Sequence, residues 1–123
     1  MSFTASDLGK VLKVFAESGV DFVVIGDTVV QLALKRSVLE GDVDLFVIEP
    51  GVVGNEEFYR ELAERYGWGY GSTEIGTPRI VARVGSAEIF VELYENFMDI
   101  EIPPEILGKA RTIVLESVRV KLL

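Results

Sequence analysis

The stretch VVIGDTVVQLALKRSVLEGDVDLFV, residues 23–47, decides the fold of this chain. It opens with a β-branched run that ends at Gly26, which is typical of a buried strand. A helix pattern follows directly, with Asp27 or Thr28 as its N-cap. A second apolar run begins at Asp42 and is predicted to be the next central strand. The sequence therefore indicates a strand–glycine–helix–strand unit.

Two carboxylates open this second strand. Asp42 and Asp44 flank Val43, and the residues that follow are apolar. Because side chains alternate along a strand, both aspartates are predicted to point to the same side, with Cα atoms about 6–7 Å apart. The two carboxylates repel each other unless one is protonated or a cation lies between them, and Mg²⁺ prefers oxygen ligands. The residues alone leave a second interpretation open, in which both carboxylates project into solvent beyond the sheet.

The rest of the chain alternates helix and strand patterns and then becomes mostly strand. One helix is predicted to start at a Ser6 cap, and the strongest helix pattern covers residues 55–67. Two β-rich runs joined at Gly85 and Ser86 predict a hairpin, and a strand pair is expected at the C-terminus. We therefore expect an α/β (α+β) fold with a mixed central sheet flanked by helices, in one domain over residues 1–123.

The composition narrows the possible chemistry. The 123 residues include no cysteine and no histidine, which excludes disulfides, zinc–thiolate sites and imidazole catalysis. A metal site would need carboxylate and backbone oxygens, which favour Mg²⁺, Mn²⁺ or Ca²⁺. The net charge of −8 disfavours direct nucleic-acid binding without a partner. No apolar run is long enough to span a membrane, and the first residues do not have the pattern of a signal peptide. A cytoplasmic location is therefore expected. Few thermolabile side chains suggest a thermophilic source.

Three segments carry a family resemblance: VVIGDTVVQLAL (23–34), GDVDLFV (41–47) and EIFVELYE (88–95). An apolar strand, a glycine at a helix start, a D-x-D strand and a later acidic strand together resemble the nucleotidyltransferase fold of the DNA polymerase beta superfamily. The pattern is most similar to the small branch that includes the abortive-infection (AbiEii-like) nucleotidyltransferases. Relatives usually continue into a helical segment, so the stop at Leu123 is expected to mark a minimal form or a truncated chain.

The resemblance implies a site and an activity. A nucleoside monophosphate would pass from a nucleoside triphosphate to a hydroxyl acceptor of unknown identity, with Mg²⁺ or Mn²⁺ as the cofactor. Glu92 is preferred to Glu88 as the third carboxylate. The implied catalytic and metal-binding residues are Asp42, Asp44 and Glu92. The implied nucleotide-binding residues are Gly26, Asp27 and Thr28.

Two departures from the family pattern keep a second function open. Asp27 stands where relatives have glycine or serine, and Glu40 stands where they often have threonine. A carboxylate at residue 27 would repel an incoming triphosphate. The alternative is a catalytically silent module of the same fold that binds a nucleotide or a partner. In both cases a homodimer would add buried area.

Two expectations concern strand placement. If Gly26 and Asp42 share one site, the strand that ends at Gly26 and the strand that starts at Asp42 must run antiparallel. Arg79 and Arg83 alternate with Val81 and are predicted to lie on the solvated face of an edge strand, with binding of phosphates or of an RNA backbone as the alternative.

Overall fold

The strands form one large mixed sheet and one small pair. The computed structural model describes residues 2–95 and 102–123. Its helices are α1 (Ala5–Glu17), α2 (Asp27–Ala33), α3 (Glu56–Arg65) and α4 (Pro104–Leu107). Its strands are β1 (Ser2–Thr4), β2 (Asp21–Ile25), β3 (Val38–Glu40), β4 (Val43–Glu49), β5 (Gly69–Ser72), β6 (Pro78–Val84), β7 (Ala87–Tyr94), β8 (Arg111–Leu115) and β9 (Val118–Leu122). Within these residues, seven strands form a sheet in the order β5-β6-β7-β4-β2-β9-β8, and β1 pairs with β3.

One apolar core joins the helices to the sheet. β4 runs parallel to β7 and β2 runs parallel to β9, whereas β2 and β4 are antiparallel, so the sheet is mixed. Phe15 of α1 and Tyr59 of α3 are fully buried in a cluster with inward-facing strand residues such as Leu45, Ile80 and Val91. The expected α/β fold with a mixed central sheet flanked by helices is confirmed.

The first helix begins earlier than the sequence predicts. Thr4 is the N-cap of α1, because its side chain accepts a hydrogen bond from Asp7 N and the Asp7 carboxylate accepts one from Thr4 N, both at 3.0 Å. Such a reciprocal capping box satisfies two backbone donors at once. Ser6 therefore lies inside the helix, where its hydroxyl donates to Glu116 at 2.6 Å.

The segment between α2 and β4 contains a short strand that the sequence pattern does not reveal. Residues 37–41 read as a loop, yet Leu39 is completely buried and lies opposite Phe3 of β1. Three-residue strands are too short to show a period of two, so only the tertiary pairing defines β1 and β3.

The predicted antiparallel arrangement of the two central strands is confirmed. β2 ends beside the start of β4, with Ile25 opposite Asp44. Gly26, which follows β2 directly, therefore lies beside the start of β4, where Asp42 and Asp44 are found.

The hairpin that carries the arginines is placed differently from the expectation. β6 lies inside the sheet between β5 and β7, and β5 occupies the edge. The expectation that Arg79 and Arg83 lie on an edge strand is therefore wrong. In the described part of the chain, no helix is long and apolar enough to cross a membrane.

Candidate active site

The sheet register brings two of the predicted acids together on neighbouring strands. Ile25 on β2 lies opposite Asp44 on β4, and Asp44 lies opposite Glu92 on β7. Opposed residues point to the same face of a sheet, so the Asp44 and Glu92 side chains share one face. Glu88 lies near the start of β7, before the residues that pair with β4, and forms an ion pair with Arg83 at 3.5 Å. The structure therefore brings Asp44 together with Glu92 and not with Glu88.

Gly26 lies directly against the Asp44 carboxylate. Its φ of 78° and ψ of −157° fall in a region that is essentially restricted to glycine. A Cβ added at this position would lie 2.7 Å from Asp44 Oδ2, which is closer than real Cβ contacts. Gly26 is also the N-cap of α2, so the predicted cap at Asp27 or Thr28 is wrong. Both the turn and the close approach of the carboxylate require glycine here.

The carboxyl groups of Asp44 and Glu92 interact directly. Burial is the main cause that raises the pKa of Asp44 to about 6, and a hydrogen bond with Glu92 and the negative charges of Glu92 and Asp42 contribute to the same rise. Asp44 Oδ1 is buried, and no residue within 2–95 or 102–123 donates a hydrogen bond to it. A buried carboxylate oxygen without a donor is costly unless a proton or a cation neutralises it. The pair therefore fits a bound cation chemically.

Asp42 lies outside the strand. β4 begins at Val43, and Asp42 is exposed just before it, so the predicted strand starts one residue later than expected and Asp42 lies outside it. Its negative charge still contributes to the raised pKa of Asp44. Among the residues that the structure describes, no three acids are arranged as a ready-made metal centre. The metal-binding set of Asp42, Asp44 and Glu92 stays a prediction.

Thr28 contacts the backbone at the aspartate pair. Its side chain is almost fully buried, and its hydroxyl donates to the carbonyl oxygen of Asp42 at 3.4 Å. The hydroxyl therefore links the first turn of α2 to the start of β4. This arrangement leaves the backbone N–H of Thr28, rather than its side chain, as the group that could hold a phosphate.

Gln31 connects the two residues that depart from the family pattern. Its Nε2 donates to Asp27 Oδ2 and to the Glu40 carbonyl, and its Oε1 accepts from Glu40 N, all at 2.9 Å. The Gln31 side chain is only 3% exposed. The Asp27 carboxylate is thus hydrogen-bonded along α2. Sequence reasoning missed Gln31, although a single amide inside the apolar run VVQLAL is a signal of a buried hydrogen bond.

Tyr94 is a further residue of the site that sequence reasoning did not assign. Burial raises its pKa, and the charges of Asp44, Glu92 and Asp42 raise it further. All three acids therefore lie near its phenol group. The available signal was alternation, because Tyr94 follows Glu92 by two residues on the same face of β7.

A comparison with family models gives an independent finding. The model described as nucleotidyl transferase of unknown function (DUF2204) matches residues 4–123. The chain belongs to this family. A search of curated proteins finds no match. Membership in the DUF2204 nucleotidyl transferases confirms the resemblance at the level of the family, and the matched range contains Gly26, the aspartate pair and Glu92.

The acid pair predicts a pH dependence for the stability of this DUF2204 protein. Because the pKa of Asp44 rises from 3.8 to about 6 on folding, the folded state binds more protons than the unfolded state between these values. The free energy of unfolding should therefore fall as the pH rises through this interval. We expect a loss on the order of 1–2 kcal/mol in metal-free solution, less than the full shift implies because the group keeps some solvent contact.

Chemical denaturation of the wild type and of Asp44→Asn from pH 4 to pH 8 measures this effect. As the pH rises through this interval, the wild type should lose free energy of unfolding relative to the variant. Above about pH 7 the difference between the two proteins should stay constant. A difference that is constant across the whole series would contradict the shared site of Asp44 and Glu92.

Proposed function

We propose that this protein is a metal-dependent nucleotidyltransferase that moves a nucleoside monophosphate from a nucleoside triphosphate to a hydroxyl acceptor. The observation that carries the proposal is the pairing of Asp44 with Glu92 beside Gly26, with a buried oxygen of Asp44 that lacks a donor among the described residues. Membership in a nucleotidyl transferase family supports the reaction class. The sequence motifs further favour a place in the small AbiEii-like branch.

We assign the metal site to the carboxylates. Asp44 and Glu92 would hold Mg²⁺ or Mn²⁺, with Asp42 joining from the position directly before β4. Carboxylate oxygens are the ligands that these ions prefer. A bound divalent cation would supply charge neutralisation for the phosphates and for the developing negative charge of the leaving group. It would also relieve the repulsion that contributes to the raised pKa of Asp44.

The residues of the chain have separate tasks in the transfer. Glu92 accepts the proton of the acceptor hydroxyl. The hydroxyl oxygen forms a bond to the α-phosphorus, the bond between that phosphorus and the bridging oxygen to the β-phosphate breaks, and pyrophosphate leaves with the electron pair. Gly26 allows the backbone to approach the phosphates, and the first N–H groups of α2, at Asp27 and Thr28, are available as donors.

The hydrogen bond between Gln31 and Asp27 supports an active site rather than a silent one. Repulsion between the Asp27 carboxylate and a triphosphate is the main objection to catalysis. Gln31 holds that carboxylate at 2.9 Å, and the amide dipole offsets part of its charge. The exposed position of Asp42 favours the silent alternative, because it leaves the described acids without a ready three-ligand centre. Nucleotide binding without any turnover would favour that alternative.

The function is tested by transfer from α-labelled nucleoside triphosphates. Purified protein is incubated with each nucleotide, Mg²⁺ or Mn²⁺, and acceptors that include small hydroxyl compounds, RNA ends and the protein itself. We expect labelled product and pyrophosphate, and a loss on the order of 10²-fold or more in Glu92→Gln, because the acceptor proton then has no base.

Glu88→Gln is the matched control for this substitution. Glu88 lies on the same strand and the same face as Glu92, and it pairs with Arg83 away from Asp44. This control should keep the activity of the wild type. The absence of pyrophosphate release with every nucleotide and metal, or equal activity of Glu92→Gln and wild type, would overturn the proposal.

A further inference from the structure

A cleft opens beside Glu92 on the face of the sheet that carries the acids. It has a volume of about 420 Å³ and lies between the β5–β6 loop and the strands β6 and β7. Its lining residues are Ser72, Thr73, Glu74, Ile75, Arg79 and Glu92. Thr73 closes the loop, because its carbonyl accepts from Gly76 N at 2.9 Å and its hydroxyl accepts from Thr77 N at 3.1 Å. The cleft therefore has a structured wall and shares one residue with the candidate active site.

Arg79 is the cation among the residues that line this cleft, and one N–H donor of its guanidinium is buried without an acceptor in the described part of the protein. Its Nε is buried and has no acceptor among residues 2–95 and 102–123. The central carbon of the guanidinium lies over the ring of Phe90, 5.0 Å from the ring centroid, within the range of a cation–π contact. A cation–π contact of this kind uses no N–H donor, so the donors of Arg79 remain free for an anion. A buried donor without an acceptor is costly unless a ligand supplies one.

Arg83 shows how an arginine on the same strand is satisfied without a ligand. It points to the same face as Arg79, forms an ion pair with Glu88 at 3.5 Å and donates to the carbonyl of Gly67 at 3.1 Å. Its side chain is 59% exposed. Arg83 thus has protein partners for its charge, a carboxylate and a carbonyl, whereas Arg79 has neither among the described residues and is the arginine that is free to bind a ligand.

We infer that Arg79 binds an anionic group of the acceptor, so that the acceptor is a small hydroxyl compound that carries a carboxylate or a phosphate. This inference rests on the proposed function, since Glu92 is the group that would receive the acceptor's proton. Arg79 and Glu92 lie opposite each other on neighbouring strands, which puts the anion and the reacting hydroxyl only a few bonds apart in one molecule. The cleft volume matches small-molecule sites. Glu74 at the rim and the net charge of −8 oppose a polyanionic acceptor.

Binding is measured by calorimetry in metal-free buffer without nucleotide. The probes are sn-glycerol 3-phosphate, glycerate and inorganic phosphate, with glycerol as the neutral control. We expect the three anions to bind and glycerol not to bind. Arg79→Gln should weaken binding of the anions at least tenfold, whereas Arg83→Gln should leave it unchanged. Arg79→Lys, which keeps the charge and loses the forked donors, should fall between them.

The outcomes separate this inference from the proposed function. Asp44→Asn should lose transfer and keep anion binding, since Asp44 does not line the cleft. In transfer assays, Arg79→Gln should raise the KM of the acceptor and not that of the nucleoside triphosphate. The inference is overturned if Arg79→Gln binds the anions as well as wild type, if Arg83→Gln loses them equally, or if only the nucleotide KM changes. Anion binding without any transfer would overturn the proposed function and leave the subsite intact.

Discussion

Asp44→Asn is expected to reduce nucleotidyl transfer on the order of 10³-fold or more while it leaves the protein folded. Asp44 lies between Gly26 and Glu92, and its carboxylate is a group whose charge the structure leaves unbalanced. An amide of the same shape keeps the packing against Gly26 and removes the negative charge. The loss therefore reports on the electrostatic role of Asp44 and not on the fold.

The same substitution should abolish the stabilisation of the protein by divalent cations. Wild type is expected to show a higher midpoint of thermal unfolding with millimolar Mn²⁺ or Mg²⁺ than without, because a ligand that binds the folded state raises its stability. Asp44→Asn should show no such shift and, in metal-free buffer above about pH 6, should unfold at a higher temperature than wild type. Thermal unfolding with and without metal measures both effects.

Asp21→Asn is the control for this experiment. Asp21 is an exposed carboxylate at the opposite end of β2, the strand that neighbours β4. This variant should keep the transfer activity and the metal-induced shift of the wild type. If Asp44→Asn retains either of them, Asp44 does not hold a metal and the candidate site is misassigned.

The sequence predicts the central part of the site because local patterns suffice there. One apolar run ends at Gly26, and the next has Asp44 near its start. If the two strands are antiparallel, these residues must lie side by side, and the antiparallel pairing is confirmed. Alternation along β7 separates buried Val91 from Glu92, so the face of Glu92 could also be predicted. Only the parallel pairing of β7 with β4 shows that Glu92 rather than Glu88 lies beside Asp44, and pairing of distant strands is not encoded in local periodicity.

Three features that sequence reasoning missed or misplaced depend on tertiary contacts. Gln31 acts through hydrogen bonds to Glu40, which lies on a strand too short to recognise. Arginines that alternate with Val81 predict that the strand of Arg79 lies at the edge of the sheet, but β5 pairs with this strand and takes the edge position. The sequence pattern places Asp42 in the second central strand, whereas β4 starts one residue later, at Val43. Periodicity thus predicts faces and leaves strand order and hydrogen-bond partners undetermined.

Gly26→Ala is expected to damage stability and activity together, for two separate reasons. A side chain at φ 78° and ψ −157° strains the backbone by about 1–3 kcal/mol. The new Cβ would also lie 2.7 Å from Asp44 Oδ2 and must push that carboxylate away. Because a displacement of about 1 Å at a reacting group can cost 10²-fold in rate, we expect a loss of activity of at least that size.

Gly54→Ala separates the clash from the strain. Gly54 also has a positive φ, of 84°, but no atom lies within 4 Å of the place that an added Cβ would occupy, and it follows the end of β4 whereas Asp44 lies near its start. Because alanine at a positive φ is strained, we expect this variant to lose about 1 kcal/mol of stability and to keep full transfer activity. The ratio of activities, measured at a temperature where both variants are folded by circular dichroism, isolates the contact with Asp44. Equal activity of the two variants would mean that the position of the Asp44 carboxylate does not govern the reaction, and the assignment of Gly26 to the site would then be wrong.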